Sequence, residues 1–227
     1  MATDLETAAA APAEDDSAMT VSPGDSVVLH GVSWKMYRRL RKMSENRHIR
    51  MTYDRGELEL MSPSPLHEKI STLLGNLINI WTIDRRIPIA SCRTMTIRRA
   101  EIKRGFEPDN CYYVQHEPQM WDKNRINFKV DPPPDLAIEV EVSRKLLKKA
   151  GIYASFGVPE LWFWSGSTLK VLELSPEGEY IPRETSICFP TFPIAKAEDI
   201  VRQLGTVHET DLILSFRDWV RDNVPTP

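Results

Sequence analysis

The sequence predicts an α/β domain, and three patterns support this class. Residues 136–142 carry apolar side chains at every second position, which is the two-residue period of a β-strand. Residues 65–84 carry apolar side chains at helical spacing, as an amphipathic helix does. Residues 49–53 and 57–61 read as two strands around Asp54-Arg55-Gly56, a turn sequence typical of a β-hairpin.

Composition places the chain among water-soluble globular proteins. Of its 227 residues, 41% are hydrophobic and 27% are charged, which are ordinary values for that class. No apolar run approaches the roughly eighteen residues of a membrane span, and the N-terminus lacks the basic start and apolar core of a secretory signal. Cys92, Cys111 and Cys188 form no C-x-x-C pair. We therefore expect reduced thiols in a cytoplasmic protein that has no zinc ribbon and does not contact a membrane.

Charge divides the chain into parts. Residues 1–26 hold six acidic residues and no lysine or arginine, so the remaining residues carry +3 of the total net charge of −3. Because residues 1–26 have almost no large apolar side chains, we expect a disordered acidic tail. Residues 27–205 are expected to form the domain, and residues 206–227 a C-terminal helix that packs on it or extends from it. A mildly basic body permits a nucleic-acid partner.

A basic helix is expected near the start of the domain. Ser33 is placed to cap a helix that runs to about Met43. Its apolar side is formed by Trp34, Tyr37 and Leu40. The cations elsewhere on this helix are Lys35, Arg38, Arg39, Arg41 and Lys42. Two readings remain open, a solvated helix face and a surface that contacts phosphate groups.

The strand at 135–142 places acidic residues on the face opposite its apolar residues. Asp135, Glu139 and Glu141 project to that side together with Ala137. Carboxylates at this spacing repel one another and raise one another's pKa unless a cation or water separates them. The strand is therefore either half of a metal site or an edge strand with a solvated acidic face.

Acidic residues and a lysine occur in the order that suits metal-dependent cleavage of phosphodiester bonds. Such cleavage needs two or more hard oxygen ligands for Mg²⁺ or Mn²⁺ and a cation near the scissile phosphate. Asp109 follows a proline at the start of a strand, and Lys149 lies on the helix that follows Glu139 and Glu141. We predict Asp109, Glu139 and Glu141 as metal ligands and Lys149 as the catalytic cation.

Two further candidates lie at the start of the helix at 65–84. Ser64 as N-cap and Pro65 at the first helical position favour a helix start. His67 and Glu68 then fall in the first turn. They are either members of the site or only capping groups, because a carboxylate is favoured there by the helix dipole and a neutral histidine is tolerated.

Five ordered segments resemble the Uma2 family of restriction-endonuclease-like proteins, which has the PD-(D/E)XK nuclease-like fold. The resemblance covers roughly residues 30–195. Its segments are DRGELEL at 54–60, MSPSPLHE at 61–68, Pro108-Asp109, DLAIEVEV at 135–142 and KAGIYASFGVPELW at 149–162.

The resemblance implies a restriction-endonuclease-like mixed β-sheet flanked by helices, with additional antiparallel strands, and a metal-dependent nuclease site. By this match Asp109 is the aspartate of the PD motif and Glu139 is the acidic residue of the second half-motif. The general pattern expects lysine at position 141, and the family resemblance implies that Lys149 has taken over its role. Glu141 is then an extra ligand or the mark of an inactive copy. His67 matches the helix-start motif together with Glu68.

The leading hypothesis is an endonuclease that depends on Mg²⁺ or Mn²⁺ and acts on DNA, with a homodimer as one assembly that the sequence permits. The alternative is a catalytically inactive module of the same fold that binds nucleic acid or a protein partner. A glycosidase with paired carboxylates is less favoured, because such enzymes use aromatic platforms. Here Trp34, Trp81 and Trp219 fall on apolar sides of helices and are expected in the core.

Overall fold

The computed structural model describes residues 22–43, 48–142 and 149–224. Of the acidic tail predicted at 1–26, residues 1–21 fall outside these ranges, as do residues 143–148. The elements, in chain order, are β1 (Ser26–Leu29), α1 (Trp34–Leu40), β2 (Arg50–Asp54), β3 (Glu57–Met61), α2 (Pro65–Asp84), β4 (Ala90–Ser91), β5 (Ile97–Arg99), β6 (Arg104–Phe106), β7 (Asn110–Tyr113), α3 (Glu117–Met120), β8 (Leu136–Glu141), α4 (Lys149–Phe156), β9 (Glu160–Ser165), β10 (Thr168–Leu174), β11 (Tyr180–Arg183), α5 (Ile194–Arg202) and α6 (Glu209–Asn223).

The described strands form two sheets. The first is antiparallel, with strand order β1-β3-β2-β6-β5, and the second is mixed, with strand order β11-β10-β9-β8-β7-β4. In the second sheet β8 runs parallel to β9 and antiparallel to β7. A parallel pair requires a crossover connection, and α4 lies on it. The predicted fold class, a mixed sheet flanked by helices with additional antiparallel strands, is confirmed.

Local sequence signals explain where several elements begin and turn. Ser33 caps α1, its side chain accepting a hydrogen bond from the N–H of Met36. The β2–β3 hairpin turns through Arg55 and Gly56, both with positive φ, which matches the turn type that two-residue hairpins favour. Gly157, with φ of 75°, follows the last residue of α4 and supplies the left-handed conformation common at helix ends.

The strand β8 lies in the interior of the mixed sheet, and both of its faces are covered. Its apolar face packs in a core that α2, α5 and α6 complete. On the opposite face Ala137 belongs to a second core that includes Ile152 and Tyr153 of α4. The reading of this segment as an edge strand with a solvated acidic face is therefore wrong, and Asp135 and Glu139 are buried.

A buried glutamate ties α1 to the first sheet. Oε1 of Glu107 lies 2.6 Å from Nη2 of Arg41 and accepts a hydrogen bond from the hydroxyl of Thr96 at 3.0 Å. Its Oε2 accepts one from the N–H of Met51 at 3.3 Å. Because Glu107 is two residues before Asp109, this network also anchors the segment that leads into the candidate site.

Several boundaries differ from the predictions. Strand β1 begins at Ser26, the last residue of the predicted tail, because the backbone next to it already pairs with Ser62. The short strands β4, β5 and β6 have two or three residues each, too few to show a period in sequence. The C-terminal helix packs on the domain through Leu212, Phe216 and Val220. No helix within the described ranges is long and apolar enough to cross a membrane.

Candidate active site

Two hydrogen bonds with the backbone of β8 hold Asp109 beside that strand, one made by its main chain and one by its side chain. It immediately precedes β7, in which Asn110 lies opposite Ile138. The N–H of Asp109 donates to the carbonyl of Ile138 at 3.1 Å, and its Oδ2 accepts a hydrogen bond from the N–H of Val140 at 2.8 Å. These bonds fix the carboxylate of Asp109 next to Glu139, which is 2% exposed.

His67 reaches the same carboxylate from the start of α2. Nε2 of His67 lies 3.1 Å from Oδ2 of Asp109, and both side chains are buried. The cap of the helix uses the backbone of His67, whose N–H donates to Oγ of Ser64 at 3.2 Å. Nδ1 of His67 lies 3.4 Å from Oε1 of Glu68 but makes no hydrogen bond. The imidazole of His67 therefore does more than cap the helix, because it orients Asp109.

Glu139 is held by two residues of α4. Nζ of Lys149 lies 2.9 Å from Oε2 of Glu139, and the hydroxyl of Tyr153 donates to Oε1. The two donors are four residues apart, so they project from the same side of the helix. The side chain of Lys149 is 17% exposed, whereas those of Asp109, Glu139 and Tyr153 are almost completely buried.

Electrostatics in the site follow from burial and from an excess of acidic groups. Burial raises the pKa of Glu139, and the charge of Asp109 raises it further, although the charge of Lys149 acts to lower it. Burial also acts to raise the pKa of Asp109, but the hydrogen bond and charge of His67 outweigh it and the pKa lies below its usual value. The pKa of Lys149 is raised despite burial, because Glu139, Asp109 and Glu59 face it. The charge of Lys149 is thus stabilised by three carboxylates, and that of Asp109 also by His67.

Glu68 lies at the edge of this group. Its side chain is half exposed, and its Oε1 lies 3.3 Å from Nη2 of Arg50 on β2. Within the described ranges it makes no hydrogen bond or ion pair with Asp109 or Glu139. Glu68, which we predicted as a catalytic residue, therefore makes no direct contact with the buried carboxylates, whereas its neighbour His67 makes one.

Glu141 lies at the last position of β8, half buried and paired in register with Ser165 of β9. It shares the face of Glu139, as the alternation of the strand predicts. Among the residues that the structure describes, no three His, Cys, Asp or Glu side chains lie close enough together to hold a metal ion. Glu141 does not complete such a group with Asp109 and Glu139, and its role as a ligand stays a prediction.

The carboxylate oxygens of Asp109 and Glu139 are the type of ligand that fits a small hard cation. Mg²⁺ is commonly held by one or two carboxylates, with water and substrate phosphate oxygens completing its coordination. Both hydrogen bonds to Asp109 fall on Oδ2, and Oδ1 takes part in neither. Asp109 and Glu139 are thus a donor pair suited to Mg²⁺ or Mn²⁺, with Lys149 beside them.

Two members of this cluster were not among the predicted site residues. Tyr153 follows Lys149 by one helical turn, within the segment KAGIYASFGVPELW, and this spacing was the signal that could have found it. Glu59 comes from the middle of β3 in the other sheet, and its charge raises the pKa of Lys149. Glu59 lies within the segment DRGELEL at 54–60, but only the packing of the two sheets shows that it approaches α4.

Comparisons with known proteins identify the family of this chain. The Uma2 family model, described as "Putative restriction endonuclease", matches residues 34–205. Among curated proteins, none matches the chain. Among solved structures, the chain is similar to one described as a "putative nuclease belonging to DUF820" from Anabaena variabilis ATCC 29413, with 16% sequence identity and a TM-score of 0.47. That match covers 82% of this chain and 99% of the other. Because the family model spans well over half of the chain, this protein belongs to the Uma2 family.

Proposed function

We propose that this protein is a metal-dependent endonuclease that hydrolyses phosphodiester bonds in DNA. The observation that carries the proposal is the convergence of Asp109, Glu139 and Lys149. They come from separate segments of the chain and meet at one end of the β7–β8 pair. Lys149 binds the carboxylate of Glu139, and the N–H of the next residue, Val140, binds the carboxylate of Asp109. Two hard carboxylates next to one ammonium group are the residue types that this chemistry requires.

Each residue has a distinct task in this proposal. When bound, Mg²⁺ or Mn²⁺ supplies Lewis-acid stabilisation of the charge that develops on the phosphate. Asp109 and Glu139 hold the ion, and His67 keeps Asp109 in place through Oδ2. Lys149 is a cation with a more exposed side chain than Asp109 and Glu139, so its ammonium group is suited to contact the scissile phosphate and to stabilise negative charge there. Tyr153 acts as a positioning residue, because it touches Glu139 and not the phosphate.

One observation favours the alternative, a nuclease fold without activity that binds nucleic acid or a protein. Asp109 and Glu139 are 3% and 2% exposed, and both oxygens of Glu139 accept hydrogen bonds from Lys149 and Tyr153. A metal ion at Glu139 must displace or share these bonds. If the internal bonds win, nucleic-acid binding depends on salt but not on Mg²⁺.

Nicking of supercoiled plasmid DNA tests the proposal. We expect the wild-type protein to produce open circles with Mg²⁺ or Mn²⁺ and none with EDTA. The isosteric variants Asp109→Asn and Glu139→Gln should lose about 100-fold or more of this rate, whereas the control Glu173→Gln, a carboxylate on β10, should retain it. Equal trace rates for wild type and all variants would refute the endonuclease proposal and leave the inactive module.

Location and assembly belong to the same proposal. Cys92, Cys111 and Cys188 are all free thiols, which suits a protein of the reducing cytoplasm. A homodimer is the assembly we propose, since two copies together can cut both strands of a duplex. Sedimentation at several protein concentrations, with and without DNA, distinguishes a dimer from a monomer.

A further inference from the structure

A basic groove lies on the outer side of α1, away from the buried carboxylates. Two adjoining cavities share Trp34 and Arg38 as a common wall. One, of about 190 Å³, is also lined by Arg98 and Arg99 at the edge strand β5. The other, of about 330 Å³, is also lined by Lys35 and other cations of α1. We call the two cavities together the α1 groove.

The α1 groove carries positive charge that the described part of the chain does not neutralise. Arg38 and Arg98 are both exposed, and neither has an acidic ion-pair partner among the described residues. Lys129 and Glu101 also line the smaller cavity, and they pair with each other at 3.0 Å. Two unpaired guanidinium groups facing one cavity form a site suited to phosphate, which guanidinium binds through two parallel hydrogen bonds.

An aromatic side chain is built into the same groove. Trp34 is half buried, and its ring packs on Tyr37 and Tyr53 with centroid distances of 5.2 and 5.4 Å. This packing fixes the indole in place while part of it lines both cavities. A rigid aromatic group flanked by cations is the combination that binds nucleic-acid strands, because bases stack on the ring while cations meet the backbone.

The groove is structurally connected to the candidate active site through α4. The guanidinium of Arg99 lies over the ring of Phe156 at 5.2 Å from its centroid. Phe106 of the neighbouring strand β6 packs on Tyr153 with a centroid distance of 4.2 Å. The sheet edge that forms the groove therefore packs on the same helix that presents Lys149.

We infer that the α1 groove binds the phosphodiester backbone of a DNA strand, with Arg38 and Arg98 on successive phosphates and Trp34 against a base. This inference rests on the proposed function in one respect, because it takes the bound strand to be the one that is cleaved next to Lys149. It adds to that function a second contact area, outside the buried carboxylates, which sets affinity and the path of the strand.

Equilibrium binding of a fluorescent 20-nucleotide DNA, single-stranded and as a duplex, tests the inference on the whole protein. The measurements are made in EDTA, so that no cleavage occurs, and over a range of salt concentrations. The groove variant carries Arg38→Gln and Arg98→Gln. The matched control carries Lys170→Gln and Arg183→Gln, which remove two exposed cations on β10 and β11. All four positions are exposed, so melting temperatures equal to that of the wild type are expected.

We expect the groove variant to bind about tenfold more weakly or worse at low salt, while the control binds as wild type does. The slope of log affinity against log salt should become shallower by about 1.4 for the single strand or about 1.8 for the duplex, the values for two lost phosphate contacts. The form of DNA with the larger loss is the one that the groove holds. Affinities and slopes of the groove variant that equal those of the control overturn the inference, even if plasmid is nicked. Weakened binding without any nicking supports the groove and refutes the endonuclease proposal instead.

Discussion

Lys149 and Tyr153, one helical turn apart on α4, donate to the two carboxylate oxygens of Glu139, one each. Glu139 is thereby fully hydrogen-bonded inside the protein, which reduces the cost of burying its charge. The helix is coupled to the strand by this carboxylate, so changes on α4 are expected to act on Glu139 first.

Removing the lysine from this group is expected to destabilise the fold. Lys149→Met leaves the buried carboxylate of Glu139 without its cation, and breaking one side of a buried pair costs about 3 kcal/mol. Urea denaturation measures this loss. The control Lys170→Met, at an exposed position, should change little, and the double variant Glu139→Gln with Lys149→Met should recover part of the stability. Equal free energies of unfolding for Lys149→Met and Lys170→Met contradict the expectation.

The two donors to Glu139 are expected to differ in their effect on cleavage. In the proposed function the charge of Lys149 acts on the phosphate itself, so Lys149→Met should reduce the turnover rate by about 100-fold or more. Tyr153 only positions Glu139 in that proposal, so Tyr153→Phe should reduce the rate by about tenfold or less. Initial rates of plasmid nicking under saturating Mg²⁺ separate the two. A larger loss for Tyr153→Phe than for Lys149→Met would show that the proposed contact between Lys149 and the phosphate is wrong.

Metal binding is expected to raise the free energy of unfolding. An ion that binds only the native state, at about 100 times its dissociation constant, adds about 2.7 kcal/mol. Thermal melting with Mn²⁺ should show this shift for the wild type and lose it for Asp109→Asn and Glu139→Gln. Glu141→Gln should retain the shift, since Glu141 is not grouped with the other two carboxylates. A loss as large as that of Asp109→Asn would establish Glu141 as the third ligand.

The contact between His67 and Asp109 predicts a pH dependence of stability. Burial acts to lower the pKa of His67, but the hydrogen bond and charge of Asp109 raise it above its usual value of 6.5. A raised pKa means stabilisation that is complete below 6.5 and is lost as the pH rises through the folded-state pKa. The pKa of Asp109 is lowered from 3.8, so its share is present above that value and is lost in stronger acid.

Denaturation from pH 4.5 to pH 9 measures this dependence. The difference in free energy of unfolding between wild type and His67→Gln should be largest between about pH 5 and pH 6.5. It should decrease as the pH rises through the folded-state pKa of His67, above which the neutral imidazole keeps only a hydrogen bond. His208→Gln, at an exposed position of the chain, serves as the control. A difference that grows with pH has the wrong sign and contradicts the ion pair.

Close approach of two strands and a helix predicts that Gly105 does not tolerate a larger residue. A Cβ added at Gly105 would lie 2.5 Å from Oη of Tyr37 and 3.1 Å from its Cζ. Gly105→Ala should therefore cost about 1–3 kcal/mol of stability. In the background of Tyr37→Phe, which removes the hydroxyl, the cost should fall. Gly151→Ala, at a helical position with open space around it, should be neutral or stabilising by up to about 1 kcal/mol.

The residues that sequence reasoning found are those with a strong local pattern. Asp109 follows a proline at a strand start, Glu139 alternates with apolar neighbours, and Lys149 opens the next helix. The structure brings these three together. Their identity could be predicted because each belongs to a short segment in which position along a strand or helix decides where the side chain points.

What sequence reasoning missed depends on long-range packing. The position of β8 inside the sheet could not be read, because an acidic face is compatible with both an exposed strand and a buried site. Glu59 belongs to the segment at 54–60, but it comes from another sheet, and only the packing of the sheets shows that it approaches Lys149. The strand β6 is three residues long, and it is specified by its pairing partners β2 and β5 and not by its own period.

The buried ion pair of Arg41 and Glu107 reduces the number of cations on the first helix that can bind phosphate groups. Of the five cations that the sequence assigns to the first helix, Arg41 is committed to an internal carboxylate and cannot meet a phosphate. An inventory of lysines and arginines therefore overstates how many backbone groups this surface can neutralise. Replacing Arg41 should loosen the polypeptide just upstream of Asp109. We therefore expect such a variant to cleave more slowly, while the dependence of its DNA affinity on salt concentration stays unchanged.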